Sequence, residues 1–218
     1  MRWSVTSLSK RRFFLVSLDQ VYARAANAII RDEVTALGGE IAGEEYLLMS
    51  STEVAPAVHR IAESAPDLIL NTLAGDRNVP FTRALRAAGV TPDRVPTIHF
   101  SASEIELRSL SARETAGNYA AWNYFQNLDR PENLAFVQRF QARYGRQRVT
   151  GDPMVAAYVG VHLWAQAVEA ADSDEPQVIR QALRGQRFCG PGGVVRIDPE
   201  NQHTWKVFRL GKIVEDGQ

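Results

Sequence analysis

The chain is short of several residues that would carry recognisable chemistry. It has one cysteine, Cys189, so it can form neither an intrachain disulfide nor a multi-cysteine metal site. Lysine occurs only at Lys10, Lys206 and Lys212, and nearly all positive charge is arginine. Formal net charge is zero with acids and bases interspersed, so no basic face for a nucleic acid is expected. No apolar run approaches the roughly 20 residues of a membrane span. The four histidines, His59, His99, His162 and His203, lack metal-ligand spacing. There is no Gly-x-Ser-x-Gly elbow, which leaves a hydrolase without its usual nucleophile motif. Gly190-Pro191-Gly192-Gly193 has neither a Walker lysine nor dinucleotide-type glycine spacing, and reads as a turn. No metal, cofactor or catalytic residue is assigned.

What is present is the composition of an ordinary globular protein, 45% hydrophobic and 23% charged over 218 residues, which argues against disorder. Near the start, Arg11-Arg12-Phe13-Phe14-Leu15 matches a twin-arginine export pattern, but the apolar run ends before Asp19 and Arg24 follows. A buried strand is the better reading of Phe13–Leu18, and no export signal is expected in the chain as written.

From there short apolar runs alternate with helical periods. Strands are predicted at Phe13–Leu18, Tyr46–Met49, Asp67–Leu73 and Thr97–Ser101. Helices are predicted at Ala23–Leu37, after a Thr52 N-cap, and at Val79–Ala88. This alternation predicts an α/β fold with a doubly wound parallel sheet. Ligands in such sheets sit beyond the carboxyl ends of the strands. The polar groups there are Asp19, Gln20 and Tyr22, then Asn71 and Thr72, then Ser101 and Ser103. Neutral or singly charged hydrogen-bonding groups of this kind suit a small polar, uncharged solute, and they equally suit turn and helix caps. Adjacent pairs such as Glu44-Glu45 point apart on a regular element and read as solvated surface.

After Ala120–Phe125, a strand or crossover, the pattern turns helical. Asn133–Tyr144 and Met154–Ala171 carry more apolar surface than surface helices need, the second over most of its circumference. Few strands nearby are available to bury them, so these helices are expected to belong to a larger fold. Val194–Ile197 and Thr204–Leu210 read as strands about the turn Asp198-Pro199-Glu200-Asn201, with Phe188–Gly193 irregular.

Several of these segments are together familiar: Phe13-Phe14-Leu15-Val16, Tyr22-x-Arg24-x-Ala26-Asn27, Asn71-Thr72-x-x-Gly75-Asp76-x-Asn78 and Tyr119–Phe125. So are Asp152-Pro153-Met154, Ala156–Trp164 and Val195–Trp205. They resemble the urea and short-chain-amide substrate-binding proteins of ABC transporters, within the type I periplasmic binding proteins. An amide-sensing regulator is a close relative of these.

The resemblance implies a non-enzymatic two-lobe clamshell closing on a small amide such as urea, partnered by an ABC permease and periplasmic in the intact family. On it, residues 1–127 form the second lobe and residues 128–187 a helical segment of an incomplete first lobe. Residues 188–218 supply the C-terminal strands and crossover. The chain would then lack the opening part of the first lobe, be cytoplasmic as written, bind urea weakly alone and self-associate. The ligand contacts implied are Tyr22, Thr72 and Ser101, with Gln20 and Asp19 nearby. The sequence departs from the family at Gln20, where Tyr is usual, and at Ser17-Leu18 in place of Gly-Ser. It departs again at Ala23 for Pro, Val155 for Glu, and Cys189–Gly192 for an Asp-Ala-Pro-Glu-like turn. A cytoplasmic amide-sensing regulatory protein is the alternative reading.

Overall fold

The structure, a computed structural model, describes residues 1–102 and 104–215. The chain folds into two compact units, one of Met1–Ala121 with Leu210–Gln218 and the other of Trp122–Arg209.

The first unit opens on α1 (Arg2–Thr6), then alternates β1 (Arg12–Leu18), α2 (Val21–Ala36), β2 (Glu40–Leu47), α3 (Ala55–Ser64) and β3 (Leu68–Thr72). A 3-10 turn at Gly75–Arg77 leads into α4 (Asn78–Ala87), β4 (Thr97–His99), α5 (Glu104–Leu107), α6 (Ala112–Thr115) and β5 (Tyr119–Trp122). The sheet order is β2-β1-β3-β4-β5, its neighbours parallel, with β9 (Arg209–Lys212) at the far edge. β1 is buried from Phe13 to Leu18 because helices cover both faces. Phe14, Val16, Leu18 and Ile69 pack with Val58 and Ile61 of α3 and Phe81 and Leu85 of α4. Phe13, Leu15, Leu68 and Leu70 pack on the other face with Val34 of α2 and Val5 of α1. The doubly wound sheet expected from the alternation is therefore what forms.

The edge strand β2 starts at Glu40, well before the predicted start at Tyr46. Its Glu40, Gly43, Glu44 and Glu45 hide the strand from a hydrophobicity reading, although it pairs with β1 throughout. A register shift opposite Phe13 and Phe14 pairs Phe14 with Gly43. A Cβ at Gly43 would collide with the Phe14 ring, so only glycine lets that fully buried ring lie against the neighbouring strand. Thr52 does not cap α3. The helix begins at Ala55, later than a Thr52 cap allows, and the Glu53 carboxylate accepts the Ala55 amide at 3.0 Å.

Beneath the ends of β3 and β4 lies a buried polar cluster. Asn71 Nδ2 donates to Asn78 Oδ1 at 3.0 Å and to His99 Nδ1 at 3.1 Å, while Asn71 Oδ1 accepts the Leu73 amide. His99 Nδ1 is thus the acceptor nitrogen, and Nε2 has no partner among the described residues. Burial, with the Arg86 charge nearby, pushes the His99 pKa from 6.5 down to about 4.

The second unit contains α7 (Pro131–Tyr144), α8 (Asp152–Ala171) and α9 (Pro176–Ala182), with an antiparallel sheet of β6 (Arg187–Gly190), β7 (Gly193–Ile197) and β8 (Thr204–Trp205). The span read as irregular is a hairpin. β6 and β7 pair from Arg187–Arg196 to Gly190–Gly193 about a Pro191-Gly192 turn, and Gly193 takes φ 111°. Thr204–Leu210 is not one strand either. β8 pairs with β7, whereas β9 joins the large sheet, and residues 206–208 lie in no ladder. Local pattern marks extended chain but not which sheet it joins. The apolar residues of α8 that are buried form one stripe, Val155, Val159, Leu163 and Ala167, the first three against Tyr124, Phe136 and Val195, and Asp152 at its start is buried too. Met154, Val161 and Trp164 are exposed. No helix of the described residues is long and apolar enough to cross a membrane.

Two outcomes are expected. Gly43→Val should lower stability by about 1–3 kcal/mol through overpacking against Phe14, read as a fall in the guanidinium midpoint. His99 should make folding pH-dependent. Its folded pKa lies below the unfolded value, so the stabilisation is complete above pH 6.5 and is lost as pH falls toward 4. By pH 4.5 the loss should reach about 2–3 kcal/mol, and His99→Gln should flatten that limb of the pH–stability curve.

Candidate functional site

The strand order 2-1-3-4-5 reverses direction between β1 and β3, so the chains leaving these two strands turn to opposite faces of the sheet, the place where a ligand crevice is expected in such folds. Ser17 stands opposite Thr72 in the last rung before that place. The predicted ligand residues are distributed around it by chain connection: Asp19 and Gln20 follow β1, Tyr22 lies in the first turn of α2, Thr72 ends β3, and Ser101 follows β4.

The structure joins some of these directly. Thr72 Oγ1 donates to Ser17 Oγ at 2.8 Å, and Ser101 Oγ reaches the Thr72 carbonyl at 3.5 Å. The Asp19 amide donates to the Leu47 carbonyl at 2.8 Å, and its carboxylate accepts Arg24 Nε at 2.7 Å. That Arg24 hydrogen bond holds the Asp19 carboxyl below its usual range. Gln20 occupies the N-cap of α2, extended and half-buried, without a side-chain cap bond. Tyr22 keeps its ring and hydroxyl outward, 58% exposed. Thr72 is buried and Ser101 half-buried. Ser103, also at the end of the fourth strand, lies outside the described residues. Asn71 faces away from the crevice into the His99 cluster, where it is structural.

Behind Thr72 is a set of polar groups that strand-end reasoning did not reach. Asn27 of α2 is buried, and its Nδ2 donates to Ser17 Oγ at 2.9 Å and to Glu44 Oε1 at 3.0 Å, with Tyr46 Oη at 3.2 Å. Tyr46 donates to the same Glu44 oxygen, and Arg31 pairs with the other. Burial pushes the Glu44 carboxyl up, but the Tyr46 and Asn27 hydrogen bonds and Arg31 outweigh it, and its pKa falls below the usual value. The Arg24 guanidinium lies 4.4 Å from the Tyr46 ring centroid. Glu44 is therefore not a solvated surface acid, while Glu45 turns the other way to pair with Arg60 of α3. The signal available in the sequence was Asn27 itself, a polar residue in the Ala23, Asn27, Ile30, Val34 stripe of α2.

Two concavities lie away from these residues. A groove of about 770 Å³ at the amino ends of the strands is lined by Lys10, Arg86, Pro96, Tyr119 and Lys212. In the second unit a water-sized cavity borders Asp152, whose carboxyl is pushed up by burial against the opposing Lys206 charge. Neither includes a strand-end residue of the crevice.

Comparison with known proteins places this arrangement. A family model described as a periplasmic binding protein domain matches residues 1–218. Leu/Ile/Val-binding protein homolog 6 of Brucella melitensis is 25% identical over 186 residues, covering 83% of this chain and 47% of that protein. A limonene hydroxylase of Geobacillus stearothermophilus is 33% identical over 109 residues, 50% of this chain and 20% of that protein. Among solved structures, an ABC-transporter solute-binding protein of Rhodopseudomonas palustris HaA2, in complex with p-hydroxybenzoic acid, matches with a TM-score of 0.88. It is 24% identical, and the match covers 95% of this chain and 57% of that one. The chain spans about half the length of these binding-protein relatives, and a fifth of the hydroxylase. With its full length matched by the family model, and a parallel sheet whose order reverses between β1 and β3, the chain belongs to the periplasmic binding protein family.

Proposed function

We propose that this chain supplies one wall of the ligand cleft of a solute-binding protein serving an ABC permease, and that its solute is a small uncharged amide such as urea. One observation carries the solute class: Gln20, Tyr22, Thr72 and Ser101 at the strand ends are neutral hydroxyl and amide groups, and the one acid among the candidate residues is held by an arginine. Asp19 is paired with Arg24. A carboxylate solute would need a cation or a fan of amides to replace its water, whereas an amide needs only neutral donors and acceptors. Thr72, Ser101 and the Tyr22 hydroxyl can supply these, and the Tyr22 ring offers a face to stack on. On this reading residues 1–127 are the second lobe, 128–187 part of the first, and 188–218 the closing strands and crossover. The protein acts in the periplasm by ligand-driven closure, a shift toward the state in which solute bridges both walls.

A second solute class is favoured by the Leu/Ile/Val-binding name of the Brucella relative: an amino acid or another small carboxylate. The two classes separate in one experiment. A ligand with four heavy atoms, at a ceiling of about −1.5 kcal/mol each, with half its contacts should bind one wall with a Kd of about 1–10 mM. An amide-resolved NMR titration with acetamide is expected to shift Asp19, Gln20, Tyr22, Thr72 and Ser101 in that range, with Thr72→Val weakening the effect. Saturation of the same residues by leucine or p-hydroxybenzoate but not acetamide would replace the amide by a carboxylate. Shifts confined to other residues would remove the crevice as the site.

The exposed apolar side chains of α7 and α8, Leu134, Tyr144, Met154, Val161 and Trp164, support a covering partner on those helices. The isolated chain should therefore self-associate in sedimentation velocity, and Trp164→Glu should shift it toward monomer. A wild-type chain that stays monomeric throughout would count against an uncovered surface there.

A further inference from the structure

We propose that Asn27 and Ser17 are positioning residues for the crevice, which hold the Thr72 side chain in one rotamer by tying it to Glu44 at the protein surface. The proposal rests on the assignment of Thr72 to the ligand wall and deepens it.

Three polar side chains lie in the interior, where apolar residues are the rule. Ser17, Asn27 and Thr72 are 0%, 2% and 2% exposed, so each needs its hydrogen bonds made inside the protein. They satisfy one another in a line: Asn27 Nδ2 to Ser17 Oγ at 2.9 Å, then Thr72 Oγ1 to Ser17 Oγ at 2.8 Å. The line leaves the interior at Glu44 Oε1, 3.0 Å from Asn27 Nδ2. That carboxylate oxygen also accepts the Tyr46 hydroxyl, whose ring lies under the Arg24 guanidinium that fixes Asp19. Two ligand-wall residues at the ends of different strands, Thr72 and Asp19, therefore hang from one acceptor.

Geometry assigns the link to Ser17 in particular. Its hydroxyl stands across the β1–β3 rung from Thr72, and a residue without an oxygen there would leave a gap between Asn27 and Thr72. The threonine hydroxyl would then be free to turn toward solvent, and its χ1 would lose the preference that the hydrogen bond imposes. Ser17 Oγ accepts from both neighbours, so removing that oxygen releases Asn27 and Thr72 together. With its proton donated to Ser17, the held Thr72 hydroxyl has only acceptor lone pairs left, so the line makes it a partner for a ligand N–H.

The test uses the full chain and reads Thr72 directly. Three-bond couplings to the Thr72 methyl should report a single χ1 rotamer in the wild type. They should average in Ser17→Ala, which is nearly isosteric, and also in Asn27→Ala, where the cut lies one residue further away. A Thr72 side chain that remains in one rotamer in folded Ser17→Ala overturns the proposal, whatever Asn27→Ala does. Acetamide titrations then supply a second arm. Ser17→Ala should weaken the wild-type effect roughly five-fold, the size of one lost hydrogen bond. It should change nothing further in a Thr72→Val background, since the two act through the same hydroxyl. Additive losses would overturn positioning in favour of a purely structural role. Averaged couplings in a protein that ignores acetamide would uphold the relay and remove the amide reading instead.

Discussion

Everything at the crevice depends on the parallel pairing of β1 with β3. Both strands are covered on two faces, so their side chains must be apolar or must find partners within the fold. From Phe13 to Val16 and from Leu68 to Leu70 they are apolar. Asn71, opposite Val16, finds its partners in the His99 cluster, and in the last rung Ser17 faces Thr72. A polar rung in that place is tolerated because Asn27 reaches in from α2. In the proposed site it matters because the same rung borders the point between β1 and β3 where the strand order reverses. Slipping β3 by one residue would put Leu73 in the rung and bury Thr72 against α4.

Charge is used in the first unit to orient rather than to stabilise. The Arg12–Glu40, Arg31–Glu44 and Arg60–Glu45 pairs all involve acids of the edge strand β2 and arginines on β1, α2 and α3. Their side chains are 20–57% exposed, a range in which an ion pair is worth little on its own. Together they give the outer strand a charged border, which discourages another chain from adding to the sheet. Glu44 is the exception in kind. It is the least exposed of these acids, and its other oxygen serves Asn27 and Tyr46, so it links the border to the interior.

How much of this could be read from the sequence followed from what each segment packs against. β1 and β3 are buried on both faces and announce themselves as apolar runs, and α2 and α4 show a helical stripe. β2 has one protected neighbour and a row of glutamates, so its hydrophobic signal was confined to Tyr46 and Leu47. The β6–β7 hairpin was hidden by the glycines and proline that make its turn possible. Of the site, the strand ends were legible because topology alone puts Asp19, Thr72 and Ser101 there. The Ser17–Asn27–Glu44 line was not, because its members are separated by 10 and 17 residues and meet only when α2 folds back across β1. A polar residue within a helical apolar stripe was the one local trace of it.

The two stripes of α8 show why the second unit resists the same treatment. Val155, Val159, Leu163 and Ala167 recur at four-residue steps and are buried inside the unit. Met154, Val161 and Trp164 lie on the opposite side of the helix and are exposed. An amphipathic helix needs one such stripe. Two opposed stripes fit the proposal that a partner covers the face the β6–β7–β8 sheet leaves exposed. The same imbalance bears on the proposed binding mode. A solute held only at Tyr22, Thr72 and Ser101 gains little beyond the freedom it loses, so a single wall can choose a ligand without retaining it. Retention requires a second wall closing over the first. In that arrangement the fixed hydroxyl of Thr72 contributes selectivity before closure, and the bridging contacts contribute affinity after it.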